Sequence, residues 1–379
     1  MNFIEMLIPV FILLIVLELT YNYIKKTDYY SLADSISDMS LGIISRLTDI
    51  FVLVLMYQIY IFIQINFAIS REPNLYSNLF LLNTLENSNS IFLNIVIWIL
   101  LFLTLDFIFY WNHRFSHEIN LLWASHVTHH SSEEYNLTVA LRQSFLRNFI
   151  ALIFYMTFAF LSVPWETLLL TDALNRMYQF WVHTRFIKRM PKWFEFIFVT
   201  PSHHRVHHAR NEEYLDKNYA GMFIFWDRIF GTFKQEKQEP LYGIVKPLQT
   251  FNPILANLHL FKEISQKFSI TNPFSTNMKI LFGKPAEFDK IGNRNLNFHL
   301  SQNPLLTDKL AQNRKLIRPN IIKKTDTIYL IFATLLLIGL SLMLIKLAFK
   351  LDIFFIMIFY FSLLGGYGLL GNRLDHLQT

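Results

Sequence analysis

Seven apolar runs constrain the fold of this chain more than any other feature. A helix that crosses a bilayer needs roughly 20 apolar residues. Charged residues make up only 16% of the chain, whereas a soluble domain carries about 25%. We therefore predict an all-α, polytopic membrane protein built as a helical bundle. The runs cover residues 3–20, 44–68, 91–111, 146–163, 165–182, 327–348 and 353–371.

The first run and the central pair need separate interpretation. Residues 3–20 lack a basic leading segment and a small-residue cleavage site, so we expect a membrane anchor rather than a cleaved signal peptide. The runs 146–163 and 165–182 are short and are split by Pro164. We expect either a hairpin that enters the bilayer and returns or two short crossings.

Basic residues predict the orientation of the bundle. Residues 183–326 hold 23 of the 34 Lys and Arg residues. Positive residues close to helix ends favour the cytoplasmic side, and Lys25 and Lys26 after the first run agree. Arg71 is the only basic residue of the next loop, 69–90, which we place outside. The net charge of +6 suits an anionic membrane face better than nucleic acid, given the apolar runs.

Histidine spacing predicts a metal site. Three segments read "HRFSH" (113–117), "HVTHH" (126–130) and "HRVHH" (204–208), and helical residues at i, i+3 and i+4 share one face. Neutral imidazole is the commonest protein metal ligand. The scattered His259, His299 and His376 carry no such pattern. The clustered set is His113, His117, His126, His129, His130, His183, His203, His204, His207 and His208.

The number of histidines favours two ions over one. One octahedral ion takes six ligands at most, and the chain has no cysteine to supply thiolates. Bis-histidine haem would need single histidines deep in facing helices. A zinc protease would need "HExxH", but Leu121 stands where the second histidine belongs. A proton-relaying transporter would place ionisable groups at mid-membrane, and a metal-storing or structural protein would bind metal without consuming oxygen.

The three boxes resemble those of the membrane fatty acid hydroxylase and sterol desaturase superfamily. Longer stretches, such as "ASHVTHHSSEEYNLTVALRQS" and "YQFWVHT", are similar to its ether-lipid-cleaving branch, the alkylglycerol monooxygenases. The strong resemblance covers roughly residues 90–235. It implies a non-haem di-iron centre with the eight box histidines as ligands and His183 as a ninth. His203 is either a further ligand or a neighbour of one.

Several polar residues near the boxes are candidates for supporting roles. Asp106 lies in an apolar run seven residues before His113, and we expect it to orient a metal-bound histidine or to anchor the site. Glu118 is our first choice among acids that adjoin the boxes. Asp172 and Arg176 fit an internal ion pair as well as a catalytic role.

These observations combine into one interpretation. We expect N-terminal membrane helices (1–90), a di-iron catalytic core (91–235), a cytosolic segment (236–326) without an assignable pattern, and a C-terminal transmembrane helix pair (327–371). The resemblance implies an oxygenase that hydroxylates a lipid C–H bond at a cytosol-facing site, with tetrahydrobiopterin or a redox protein as electron donor. The alternative is a fatty acid or sterol hydroxylase or desaturase of the same superfamily.

Overall fold

The computed structural model describes residues 3–69, 88–288 and 323–378, and these residues form helices and no strand. Arg71, His299 and most of the predicted cytosolic segment beyond residue 288 lie outside the described residues. The first helices are α1 Phe3–Lys25, α2 Leu32–Phe67, α3 Ser88–Glu118, α4 Asn120–Ala124, α5 Val127–His130, α6 Arg147–Phe160, α7 Trp165–Trp181 and α8 Lys192–Ile197. The others are α9 Pro201–His207, α10 Phe225–Ile229, α11 Pro253–Lys267, α12 Phe274–Phe282, α13 Pro285–Phe288, α14 Lys324–Leu347 and α15 Ile353–Gln378.

Five of these helices, α1, α2, α3, α14 and α15, are long and apolar enough to cross a membrane. They coincide with five of the seven apolar runs, so the predicted all-α membrane bundle is confirmed. All five extend beyond their runs at one end or both, and the extensions of α2 and α3 carry polar residues that matter for the site. Helix α2 begins at Leu32 because its first turns bury Asp34 and Asp38 against a polar loop rather than against lipid. Helix α3 continues through the first histidine box to Glu118.

The central pair α6 and α7 forms a hairpin. The helices have 14 and 17 residues and are joined at Ser162, whose φ of 61° lets the chain reverse. The bend lies at the distal end of α2, where the Tyr60 hydroxyl donates to the Val163 carbonyl at 2.6 Å. Arg147 and Trp181, the outer ends of the pair, are therefore both at the opposite end of the bundle, as predicted for a segment that returns to the side it left.

Loops and short helices gather at that opposite end. The end of α15 is fixed there by Asp375, which accepts from the Thr250 hydroxyl at 2.5 Å, and Arg373 pairs with Asp326 at the start of α14. Helices α11–α13 lie in residues 236–326, the segment for which the sequence predicted no particular structure. They pack Leu260 and Ile280 against α4, directly beside the second histidine box. This cap encloses the polar end of the bundle.

Candidate metal centre

Nine buried or half-buried histidines converge at the polar end of the bundle and form two adjacent groups. Within each group the ligand atoms lie within 4.8 Å of one another. Rings of the two groups contact each other, with 4.3 Å between the centroids of His130 and His208. Group A comprises His113, His117, His126, His130 and His207, and group B comprises His129, His183, His204 and His208.

Each box presents its histidines from the end or the body of a helix. The first box occupies the last turns of α3, the second spans α5 with His126 at its N-cap, and the third lies on α9 with His208 at its C-cap. Helix α9 begins sharply because Thr200 and His203 form a capping box and Pro201 is the first helical residue. Short helices of this kind bring several imidazoles to one face without a long apolar surface.

Backbone carbonyls fix the tautomers of four of these histidines. The Nδ1 atoms of His113, His129, His183 and His207 lie 2.7–3.0 Å from carbonyl oxygens. A carbonyl can only accept, so each Nδ1 carries the proton and each Nε2 presents a lone pair. The Nε2 atoms of His129 and His183 are nevertheless 3.4 Å apart. Two lone pairs at this distance repel each other unless a cation lies between them.

Burial keeps these imidazoles neutral. It lowers the pKa of His129 well below its usual value, and it lowers the pKa of His183 to about 3 and that of His207 to about 4. The Nε2 atoms of His207 and His208 are buried without a hydrogen-bond partner among the described residues. Neutral imidazoles with unpartnered, converging nitrogens are the donor set that iron, copper and zinc accept. The residues present therefore fit a metal centre.

Arg142 holds the second box in place, and the sequence analysis did not single it out. This buried guanidinium donates to the Thr128 carbonyl at 2.8 Å and to Asp38 of α2 at 2.9 Å. Its own carbonyl accepts from Nδ1 of His129 at 2.8 Å. One arginine thus ties α2 to a histidine of group B. The signal available in the sequence was a basic residue twelve positions after the "HVTHH" box, together with acids at the start of a long, mostly apolar helix.

Asp106 lies below the histidines and anchors the segment that follows the third box. Its carboxylate accepts from the backbone N–H groups of Met222 and Phe223 at 2.8 and 2.9 Å and from the side-chain amide of Asn175 at 3.0 Å. The same segment supplies the Tyr219 carbonyl that orients His113. No hydrogen bond described for Asp106 reaches a histidine, so its influence on the site passes through the backbone.

The chain was compared with known proteins. Residues 98–232 match the family model described as fatty acid hydroxylase. This segment is a fatty acid hydroxylase domain. Alkylglycerol monooxygenase from Xenopus tropicalis is 37% identical over 285 residues, which cover 75% of this chain and 59% of that protein. Alkylglycerol monooxygenase from Homo sapiens is 38% identical over 286 residues, which cover 75% of this chain and 60% of that protein.

The matches thus span about three fifths of the length of these curated relatives. No solved structure shows significant similarity to the chain. The hydroxylase domain falls inside the predicted core, residues 91–235, and contains all ten clustered histidines.

Two predicted residues of the hydroxylase domain belong to neither histidine group. Nδ1 of His203 accepts from the Thr200 backbone N–H at 3.3 Å as part of the α9 capping box, and this ring belongs to neither group. Glu118 accepts from the Arg114 guanidinium at 2.9 Å at the end of α3. Asp172 and Arg176 form the internal ion pair, at 2.6 Å, that the sequence suggested. The roles of His203 and Glu118 in the reaction stay predictions.

A mostly apolar cavity of about 460 Å³ connects the hydroxylase domain to the membrane helices. Its walls come from α1, the first half of α2, α3, α6, α7 and α14, with Phe11, Ile15 and Phe180 among the lining side chains. Histidines of both groups line one part of this cavity: His113 and His126 from group A, and His129, His183 and His204 from group B. A lipid chain in the cavity would thus lie next to both groups.

Proposed function

We propose that this chain is a membrane-bound, non-haem di-iron oxygenase that hydroxylates a lipid C–H bond. The observation that carries the proposal is the pairing of nine neutral, converging imidazoles with an apolar cavity that reaches both groups. Group A would hold one iron and group B the other. Bound iron would supply the redox chemistry needed to activate O₂ for oxidation of an unactivated C–H bond, which no side chain supplies.

The residues of the chain position and shield the reacting groups. The carbonyls of Tyr219, Arg142, Gln179 and Lys217 hold four imidazoles in the metal-binding tautomer. Asp106 keeps the Tyr219 segment against α3. The apolar walls of the cavity exclude water from the chain of the substrate and leave its reactive carbon next to the histidines.

The preferred substrate is an alkylglycerol ether lipid. This choice follows from the similarity to alkylglycerol monooxygenases of Xenopus tropicalis and Homo sapiens. One oxygen atom of O₂ enters the C–H bond next to the ether oxygen, and two electrons and two protons from a reductant convert the other atom to water. The resulting hemiacetal separates into a fatty aldehyde and a glycerol. Tetrahydrobiopterin is the proposed reductant, and Glu118 is a candidate for handling protons close to the site.

The site is proposed to face the cytoplasm, where a soluble donor can reach it from above while lipid enters from the bilayer. Lys25, Arg185 and Lys188 lie near helix ends on the histidine side of the bundle, which is the distribution expected of a cytoplasmic face.

In the test, purified protein receives O₂, tetrahydrobiopterin and one of three substrates. These are an alkylglycerol, a fatty acid whose chain has the same length, and a sterol. Fatty aldehyde should form from the alkylglycerol alone, and the protein should hold about two irons. Hydroxylated or desaturated sterol or fatty acid as the product would favour the alternative within the superfamily. A protein that purifies without stoichiometric iron and oxidises none of the three would support a histidine-relay transporter instead.

A further inference from the structure

Three arginines line the apolar cavity below the histidines. Arg46 comes from α2, Arg147 from the start of α6 and Arg176 from α7. Among the described residues that form the cavity wall, none is an aspartate or a glutamate. A cavity that binds only hydrocarbon has no need of guanidinium groups. A cation in apolar surroundings costs free energy, so three of them in this cavity indicate a functional site.

The ion pairs described behind the wall supply two carboxylates for these three charges. Arg46 pairs with Asp49 at 3.1 Å, and Arg176 pairs with Asp172 at 2.6 Å. Asn148 links the two pairs, since its amide donates to Asp49 at 2.5 Å and its oxygen accepts from Arg176 at 3.2 Å. Three guanidinium groups against two carboxylates leave one positive charge in excess.

Arg147 carries that excess charge. Within the described residues its guanidinium forms no ion pair and no side-chain hydrogen bond, although it lies half-buried beside the like-charged Arg46 and Arg176. Nη1 of Arg176 is also buried without a hydrogen-bond partner among these residues. Donors of an arginine left unpaired in a low-dielectric setting cost free energy that an acceptor of opposite charge would recover.

We propose that Arg46, Arg147 and Arg176 form a subsite for the anionic oxygen group of a single-chain amphiphile that occupies the cavity. The guanidinium donors bind the anionic oxygens, and the apolar walls from α1 and α7 bind the chain. The subsite adjoins the part of the cavity lined by His113 and His183. It therefore fixes how far a bound chain extends toward the metal centre. The inference rests on the proposed function only in treating the bound amphiphile, an alkylglycerol that bears an anionic group, as the substrate.

Binding without turnover tests this subsite separately from the activity. Purified full-length protein in neutral detergent, without O₂ or reductant, is titrated with hexadecyl phosphate, with hexadecanol and with inorganic phosphate, and intrinsic tryptophan fluorescence is followed. Hexadecyl phosphate should bind about tenfold or more tightly than hexadecanol, as expected for a hydrogen bond to a charged group. Inorganic phosphate should bind weakest, because it lacks the chain.

Single substitutions then test whether the preference for hexadecyl phosphate over hexadecanol depends on Arg147. Arg147→Gln should bring the affinity for hexadecyl phosphate down to that for hexadecanol and leave hexadecanol binding unchanged, whereas Arg147→Lys should keep most of the preference. Arg189→Gln removes the same charge at an exposed position and should change neither affinity. Equal binding of the two C16 probes by the unsubstituted protein would overturn the proposal, whatever the stability of the variants. So would an unchanged preference in folded Arg147→Gln, or tight binding of inorganic phosphate alone.

Discussion

At the scale of single residues, helical geometry explains how the histidines divide between the two groups. Residues four apart on a helix differ by about 40° around its axis, whereas residues three apart differ by about 60° in the opposite direction. The i, i+4 pairs His113/His117 and His126/His130 each stay together in group A, and His204/His208 stays together in group B. The i+3 histidine of each triplet, His129 or His207, belongs to the other group. The second and third boxes therefore bridge both proposed ions.

This division predicts the effect of single histidine substitutions on metal content. His117→Ala should weaken the group A site and His204→Ala the group B site, so each should lower iron from about two to about one per chain and abolish turnover. His259→Ala is the matched control. This half-buried ring belongs to neither group, and its Nδ1 donates to the Ala256 carbonyl. Iron content and aldehyde formation are the measurements. Full iron content in both ligand variants would contradict the assignment.

At the scale of elements, the segment after α9 shows how a loop becomes part of the candidate metal centre. Asp106 of α3 accepts two backbone N–H groups of this segment, and Asp227 of α10 accepts the N–H groups of Tyr219 and Ala220 at 2.8 and 2.9 Å. The two carboxylates thus bind neighbouring parts of the segment, Asp227 before Gly221 and Asp106 after it. Gly221 lies between these anchors, and the segment passes close to α3 at this residue.

Gly221→Ala should therefore disturb the centre without touching a ligand. A Cβ at this position would lie 2.8 Å from the Phe109 ring and 2.9 Å from a carboxylate oxygen of Asp106, so the anchor must shift. We expect the free energy of unfolding to fall by about 1–3 kcal/mol. We also expect less bound iron, because the segment carries the Tyr219 carbonyl that orients His113. Gly365→Ala, where a Cβ meets no atom within 4 Å, should leave both unchanged. Equal melting temperatures and iron contents in the two variants would count against the anchoring role.

At the scale of the whole molecule, the two ends of the bundle differ in kind. One end carries the histidines, the loops and the cap formed by α11–α13. In the described part of the chain, the other end carries two short connections: the α6–α7 bend at Ser162 and the link around Asp352 between α14 and α15. The α6–α7 hairpin contributes to this arrangement, because it returns the chain to the end it left and so brings the third box to the same end as the first two.

Cysteine labelling tests this arrangement and the proposed orientation together. The chain has no cysteine, so introduced thiols react without background. In sealed vesicles of known orientation, Gln238→Cys should react with an impermeant reagent from the cytoplasmic side only. Asp352→Cys, which is exposed at the other end, should react only from the opposite side. Labelling of both from one side would be incompatible with the proposed orientation of the bundle.

The sequence by itself determined the membrane helices and the residue type of the candidate metal ligands, because both depend on local pattern: apolar runs of bilayer length and imidazoles at helical spacing. It also indicated the hairpin, through the short lengths of the runs around Pro164. Only the tertiary structure decided which histidines share a group, since the assignment of His183 and His207 depends on the relative rotation of separate helices. The same holds for Arg142, for the path from Asp106 to His113, and for the cavity with its three arginines. Each of these joins residues far apart in the chain, and no periodicity in one segment encodes a contact with another.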